Sequence, residues 1–152
     1  MKYTLILIST LFTLISNHPR NIKKRHMKLN AGIITENFNE TKKFYIETLG
    51  FGISFENDFY LLLHTPNHEA EVSFLKPNHP SQKPIFQPAF QGKGVYFTLE
   101  VEDVDLIYKK FQKKNIKITV PIRDEPWGDR HFAIVDPNGI GIDIVTYRKP
   151  NK

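Results

Sequence analysis

Apolar residues along this chain come as short β-branched and aromatic runs, broken twice by stretches in which they recur at helical spacing. Leu29–Thr35 (LNAGIIT) is short and partly β-branched, which predicts a strand. Asn37 can cap a helix with Glu40 three residues on as its reciprocal partner. Phe38, Phe44, Tyr45 and Leu49 fall on one helical face, and Gly50 offers the left-handed exit, so a helix is expected over Asn39–Leu49. Phe51–Glu56, Phe59–Thr65 and Glu71–Leu75 then read as three strands of a meander. Lys76–Lys93 holds Pro77, Pro80, Pro84 and Pro88 among scattered polar residues and reads as a linker. Beyond it Val95–Val101 alternates as a strand. Asp103 caps a helix with Val104, Ile107, Tyr108 and Phe111 inward and Asn115 at its exit, and Ile116–Val120, Arg130–Val135 and Ile140–Tyr147 are read as strands.

The second series of elements repeats the first. An offset of 65 to 66 residues places Phe38 over Val104 and Gly50 over Asn115. The fold class expected is therefore α+β, with two βαβββ modules, about 28–76 and 94–147, joined by a linker over 77–93. Their curved mixed sheets would surround a cleft, where small molecules commonly bind. At 152 residues the chain has room for one such domain, 27–152.

Charge changes this picture only at the start. The net +5 comes from Lys2, Arg20, Lys23, Lys24 and Arg25, which precede Met27 with no acid among them; the rest holds 16 Lys/Arg against 16 Asp/Glu. A neutral domain lacks the basic surface that phosphate recognition needs, so no nucleic-acid partner is expected. Residues 1–26 pair a basic start with an apolar run, Leu5 to Ile15, too short to cross a bilayer, so no membrane partner is expected either. The run resembles a secretory signal without a small-x-small cleavage pattern. It is read as an extension ahead of a start at Met27 in a cytoplasmic protein, with a secreted or periplasmic protein as the alternative. The absence of Cys excludes disulfides, thiolate metal sites and thiol nucleophiles.

Three stretches carry a resemblance: Phe44-Tyr45 through Leu49-Gly50-Phe51, Glu100-Val101 through Asp103-Val104-Asp105, and PWGDRHFAIVDPNG from Pro126 to Gly139. With them the chain resembles, over about Lys28 to Tyr147, the vicinal oxygen chelate superfamily of glyoxalase I, extradiol dioxygenases, fosfomycin-resistance transferases and bleomycin-resistance proteins. The last stretch looks most like the bleomycin-resistance branch. Asp136-Pro137-Asn138-Gly139 is by its chemistry a hairpin turn, and that is read as its whole role. Trp127, between Pro126 and Gly128, is either a plug at the rim or a stacking platform for a planar ligand.

In the metal-dependent members that this chain resembles, His and Glu stand at four strand positions. The corresponding residues are Asn30, Ser73, Tyr96 and Asp143, of which Asp143 alone is a good ligand, so neither a metal nor another cofactor is expected. His64, His68 and His79 flank or lie in Pro-containing loops and do not converge as helical i, i+4 ligands would. His131 is a tempting general base, but nothing in sequence places a nucleophile or second acid beside it, and no catalytic residue is assigned. The expected function is metal-independent binding of a planar, antibiotic-like small molecule by a homodimer, with Trp127, Tyr96, Phe55, Phe86, Phe90, Asn30, Arg130 and Asp143 as ligand contacts. The alternative is a divalent-metal-dependent lyase, isomerase or dioxygenase of the same superfamily. Bleomycin itself fits poorly, because a neutral domain lacks the acidity suited to a cationic drug.

Overall fold

The structure, a computed structural model, describes residues 28–148; the signal-like stretch read over 1–26 lies outside the described residues. Two four-stranded sheets organise it. The first contains β1 (Ala31–Ile34), β2 (Gly52–Glu56), β3 (Tyr60–His64) and β4 (Glu71–Leu75) in the order β1-β4-β3-β2. The second contains β5 (Tyr96–Glu100), β6 (Val120–Asp124), β7 (Asp129–Val135) and β8 (Gly141–Tyr147) in the order β5-β8-β7-β6. In each, the opening strand pairs in parallel with the last, Gly32 beside Ser73 and Thr98 beside Asp143. A parallel neighbour requires a crossover, which α1 (Phe38–Lys43) and α2 (Val104–Lys113) supply. This is the α+β architecture of two βαβββ modules.

Strand alternation decides which side chains meet the helices. Leu61, Leu63, Val72 and Phe74 of the first sheet and Phe132, Ile134, Ile142 and Ile144 of the second are buried, and together with Tyr45, Val104 and Phe111 they form one core spanning both modules. Tyr108 and Phe111 of α2 meet Phe132 edge-on, with ring centroids 5.2 and 5.7 Å apart. The residues between them in the strands face the opposite, open sides of the sheets.

The first helical segment runs from Phe38 as far as Thr48, but Phe44–Thr48 winds as a widened π turn. It exits through Gly50 at φ 78°, and α2 exits through Asn115 at φ 54°. The expected capping box does not form. The Asn37 amide donates to the carbonyl of Pro137 at 3.0 Å instead, while Asp103 does cap α2 by accepting from the Leu106 N–H. The strand expected at Ile116–Val120 lies at Val120–Asp124. Ile116 and Ile118 are used as side chains packed on the core, and the ladder to β7 is interrupted between Val120 and Arg123, where Pro121 has no N–H to donate. Within the linker only a single 3₁₀ turn, Pro84–Phe86, is regular, and the Phe90 N–H bonds back to Ile34 at 2.8 Å.

The Asp136–Gly139 turn does more than reverse the chain. Asp136, 5% exposed, accepts from the backbone N–H groups of Asn138 (2.8 Å) and Ile140 (2.9 Å), from the Asn138 amide (2.9 Å), and from the Tyr45 hydroxyl of the other module (3.2 Å). Asn138 in turn meets the hydroxyls of Thr35 and Thr41. A turn of the second module is thus bonded into the loop and helix of the first. Burial first, then the neighbouring Asp136 charge, pushes the Tyr45 phenol far above its usual pKa, so it acts only as a donor here.

Candidate functional site

The open face of the second sheet carries its most concentrated polar chemistry. β7 and β8 place His131 and Asp143 on this face, since their neighbours Phe132, Ile142 and Ile144 point to the core. His131 Nδ1 lies 2.7 Å from Asp143, and its Nε2 lies 3.2 Å from Glu125. Side-chain exposures of 18%, 29% and 10% for His131, Asp143 and Glu125 leave the group half-sheltered yet reachable. Arg123 adds an ion pair to Glu125 from the outer side. Burial disfavours a charged imidazole, but the two carboxylate hydrogen bonds outweigh it and hold the His131 pKa above its ordinary value. Burial likewise opposes the Glu125 carboxylate, and the bonds from His131 and Arg123 overcome it, so its pKa lies below the usual range.

Both ring nitrogens of His131 are thereby occupied, and the two carboxylates sit at opposite ends of the ring. Such a string can offer unused carboxylate oxygens to a cation or a hydrogen-bond donor. It cannot converge on a single metal ion, and among the described residues no group of three or more His, Cys, Asp or Glu is placed to hold one. The register bears on the same point. Ser73 stands beside Gly32, is 6% exposed and donates to the Ala31 carbonyl at 3.3 Å, while Asp143 stands beside Thr98. Slipping the alignment by one residue brings in only apolar side chains, and a slip of two brings in one further acid, Glu71, which already bonds Lys28 at 2.7 Å and Ser54 at 3.0 Å. These positions do not fit a divalent ion.

Trp127 belongs to the same neighbourhood. It sits in the tight β6–β7 turn two residues after Glu125, held by Glu125 N–H to Asp129 O at 2.7 Å and by its own indole N–H to the Asp129 carboxylate at 2.8 Å. The ring is 62% exposed, so the hydrogen bond orients a free aromatic face rather than a buried one. Tyr96, 71% exposed, precedes Thr98 by two residues in β5 and shares the face of Asp143.

The remaining expected contacts are dispersed. Phe55, 52% exposed, lies on the open face of the first sheet opposite Leu62, with its ring 6.1 Å from Tyr60. Phe86, 53% exposed, is in the linker turn, whereas Phe90 packs against the core and lines a polar hollow beside Thr35 and Asn138. Asn30 is exposed just ahead of β1. Arg130 projects from the other face of β7, where it grips Asp105 of α2 through two bonds of 2.7 and 2.8 Å and Asp124 at 2.8 Å; Arg148 joins both acids at 3.4 and 3.5 Å. It is a structural pin on the helix side, away from Trp127 and Asp143, because neighbouring strand residues point to opposite faces. Glu125 was missed. Its signal was present in the sequence, since it directly precedes the Pro126-Trp127-Gly128 turn, but only the hairpin register brings it to His131.

The sequence matches the family model "Glyoxalase/Bleomycin resistance protein/Dioxygenase superfamily" over residues 26–144. No curated protein sequence matches the chain. Among solved structures it is similar to TnmS3, an antibiotic binding protein from Streptomyces sp. CB03234, with TM-score 0.64 and 19% identity over 80% of this chain and 96% of that one. It is also similar to a bleomycin resistance determinant encoded on transposon Tn5, with TM-score 0.58 and 22% identity over 80% and 98%. A third similar structure is a lactoylglutathione lyase from Agrobacterium tumefaciens, with TM-score 0.63 and 15% identity over 79% and 92%. At these identities the likeness is one of fold.

Proposed function

The chain belongs to the glyoxalase/bleomycin resistance protein/dioxygenase superfamily, and from that premise we propose that it is a metal-independent binding protein of the bleomycin-resistance-like kind, sequestering a planar small molecule. The observation that carries this reading is the Asp143–His131–Glu125 string. The one strong ligand among the family's metal positions is already engaged by an imidazole whose far side meets a second carboxylate. What the string presents to solvent is an acceptor-rich patch in which Asp143 has no arginine or lysine partner among the described residues, and the adjoining free face is Trp127. A ligand with an aromatic plane and a cationic or donor-bearing group matches both. Fold likeness to an antibiotic binding protein and a bleomycin resistance determinant supports the same reading.

Phe55, Phe86, Tyr96 and Trp127 are all more than half exposed on one chain. A homodimer in which a second copy covers the open sheet faces would enclose a ligand between them, and the mass in solution tests that. The alternative is a divalent-metal-dependent lyase, isomerase or dioxygenase. One experiment separates the two. Full-length protein is purified without chelator, assayed for metal, re-loaded with Ni, Mn, Zn and Fe(II), and then titrated with planar cationic and neutral antibiotics while the fluorescence of the single Trp is followed. Saturable quenching by a planar cation with metal well below one equivalent is expected. One tight equivalent of metal that raises the melting temperature would instead establish the enzyme.

A further inference from the structure

A second cavity lies at the seam between the modules, beside the face that carries Asp143. It measures about 230 Å³ and is walled by Ala31, Phe51 and Val72 of the first module and Phe97, Leu99 and Ile142 of the second. Ala31, Val72, Phe97, Leu99 and Ile142 come from the helix-facing sides of the sheets and Glu71, Tyr96 and Thr98 from their open sides, so the hollow lies where the edge strands β1 and β5 of the two modules meet, open to solvent at its rim. We propose that this seam is a binding site for a neutral aromatic molecule of one or two rings.

Three features point to that chemistry. An apolar cavity of about 150 Å³ is enough to take up a benzene-sized molecule, and this hollow, open to solvent at its rim, is larger. Small residues keep it open: Ala31 and Ala70 line it where a larger aliphatic would fill it, against the tendency of cores to close-pack. The polar lining is sparse and nearly neutral. Thr65 and Thr98 offer hydroxyls, and the one carboxylate, Glu71, is already bound by Lys28 at 2.7 Å and Ser54 at 3.0 Å, which holds its pKa down. A cation finds no unpaired acid there, whereas an indole or phenol would leave its single donor to a threonine oxygen. The hollow adjoins the Trp127–Asp143 face, sharing Tyr96 and, through Thr98, the strand next to Asp143, but neither Trp127, His131 nor Asp143 lines it.

The test uses the full-length protein, ¹³C-methyl labelled at Ile, Leu and Val, titrated with indole and with toluene. Saturable shifts at Val72, Leu99 and Ile142 are expected, with dissociation constants of about a millimolar or below and a rise of about 4 °C in melting temperature at tenfold excess. Ala31→Leu should abolish the shifts by filling the wall. Ala70→Leu, at an exposed position on the rim, should weaken binding at least tenfold without disturbing the core, and so decides the matter if Ala31→Leu fails to fold. Shifts that never saturate, or that survive both substitutions, overturn the proposal. Asp143→Asn separates the two sites: it should reduce quenching of Trp127 by a planar cation and leave the indole shifts at the seam unchanged, and loss of the seam shifts in that variant would also count against an independent site.

Discussion

Asp136→Ala should destabilise the protein far more than Tyr45→Phe, although the two side chains share one hydrogen bond. The Asp136 carboxylate accepts four bonds of 2.8 to 3.2 Å at 5% exposure. Its removal strands two backbone N–H groups and the Tyr45 hydroxyl, and leaves the Asn138 amide only its 3.0 Å bond to the Thr41 hydroxyl. A buried donor left unpaired costs about 1–3 kcal/mol; with water reaching part of the space that a carboxylate vacates, the whole change comes to about 4 kcal/mol. Tyr45→Phe removes only the longest of the four bonds and leaves the carboxylate three donors, so about 1 kcal/mol is expected. Urea unfolding followed by circular dichroism gives both numbers, with the midpoint falling and the slope unchanged if only stability is altered. In a double-mutant cycle the pair should couple by about 1 kcal/mol. Equal losses for the two single variants would refute the view that this turn locks the modules together.

Four further outcomes follow from the geometry. Because the folded-state pKa of His131 is raised, its stabilisation is full below the ordinary histidine pKa and is lost as pH climbs through the raised value; His131→Gln should flatten the stability profile across that window in urea titrations from pH 5 to 9. Losing the imidazolium proton makes the same patch more negative, so a permanently charged planar cation should bind more tightly as pH rises through that window, and fluorescence titration of Trp127 reads this directly. Arg130→Met should lower stability by about 1 kcal/mol or less, since its partners Asp105 and Asp124 are more than a third exposed, and should leave ligand affinity within twofold. Gly52→Ala drives a methyl carbon into the imidazole of His64; the ring must swing out, giving up its 2.8 Å bond to the Thr65 carbonyl and its stack on His68, at about 1–2 kcal/mol in thermal unfolding.

Much of this architecture is legible in the sequence, because each module states its period locally. Gly50, Asp103 and Asn115 do what their chemistry dictates, and Phe132, Ile134, Ile142 and Ile144 alternate as core strands must. What escapes is set by long-range partners. Asn37 is a good cap by local rules, yet Pro137, a hundred residues away, takes its amide. Ile116 and Ile118 carry strand propensity but are claimed by the core, and the edge strand begins where Thr119 can first bond to Ala133. The site suffers in the same way. Trp127 announces itself as an isolated aromatic in a Pro-Gly turn, and Asp143 through the family pattern, whereas the burial of Arg130 among acids depends on which face of β7 it takes, a one-residue matter. Glu125 becomes chemically meaningful only across a bulged hairpin.

That dependence explains how one scaffold can serve both a lyase and antibiotic binding proteins while leaving this chain's chemistry to a few side chains. At the position where its metal-dependent relatives place a ligand, the decisive question is what the carboxylate already holds. A metal competing for Asp143 must displace an imidazole bonded on both sides, and His131 could join the coordination shell only by giving up its bond to Glu125 or Asp143. Either route gives up one of the two carboxylate bonds of His131, and Asn30, Gly32, Ser73 and Thr98 supply no charge in return. A cationic organic ligand of the proposed kind faces neither obstacle: it can add to the free carboxylate oxygens while the imidazole stays in place, and its aromatic body can lie on Trp127. On the proposed reading, the polar string serves recognition of a preformed cation rather than the assembly of a metal site.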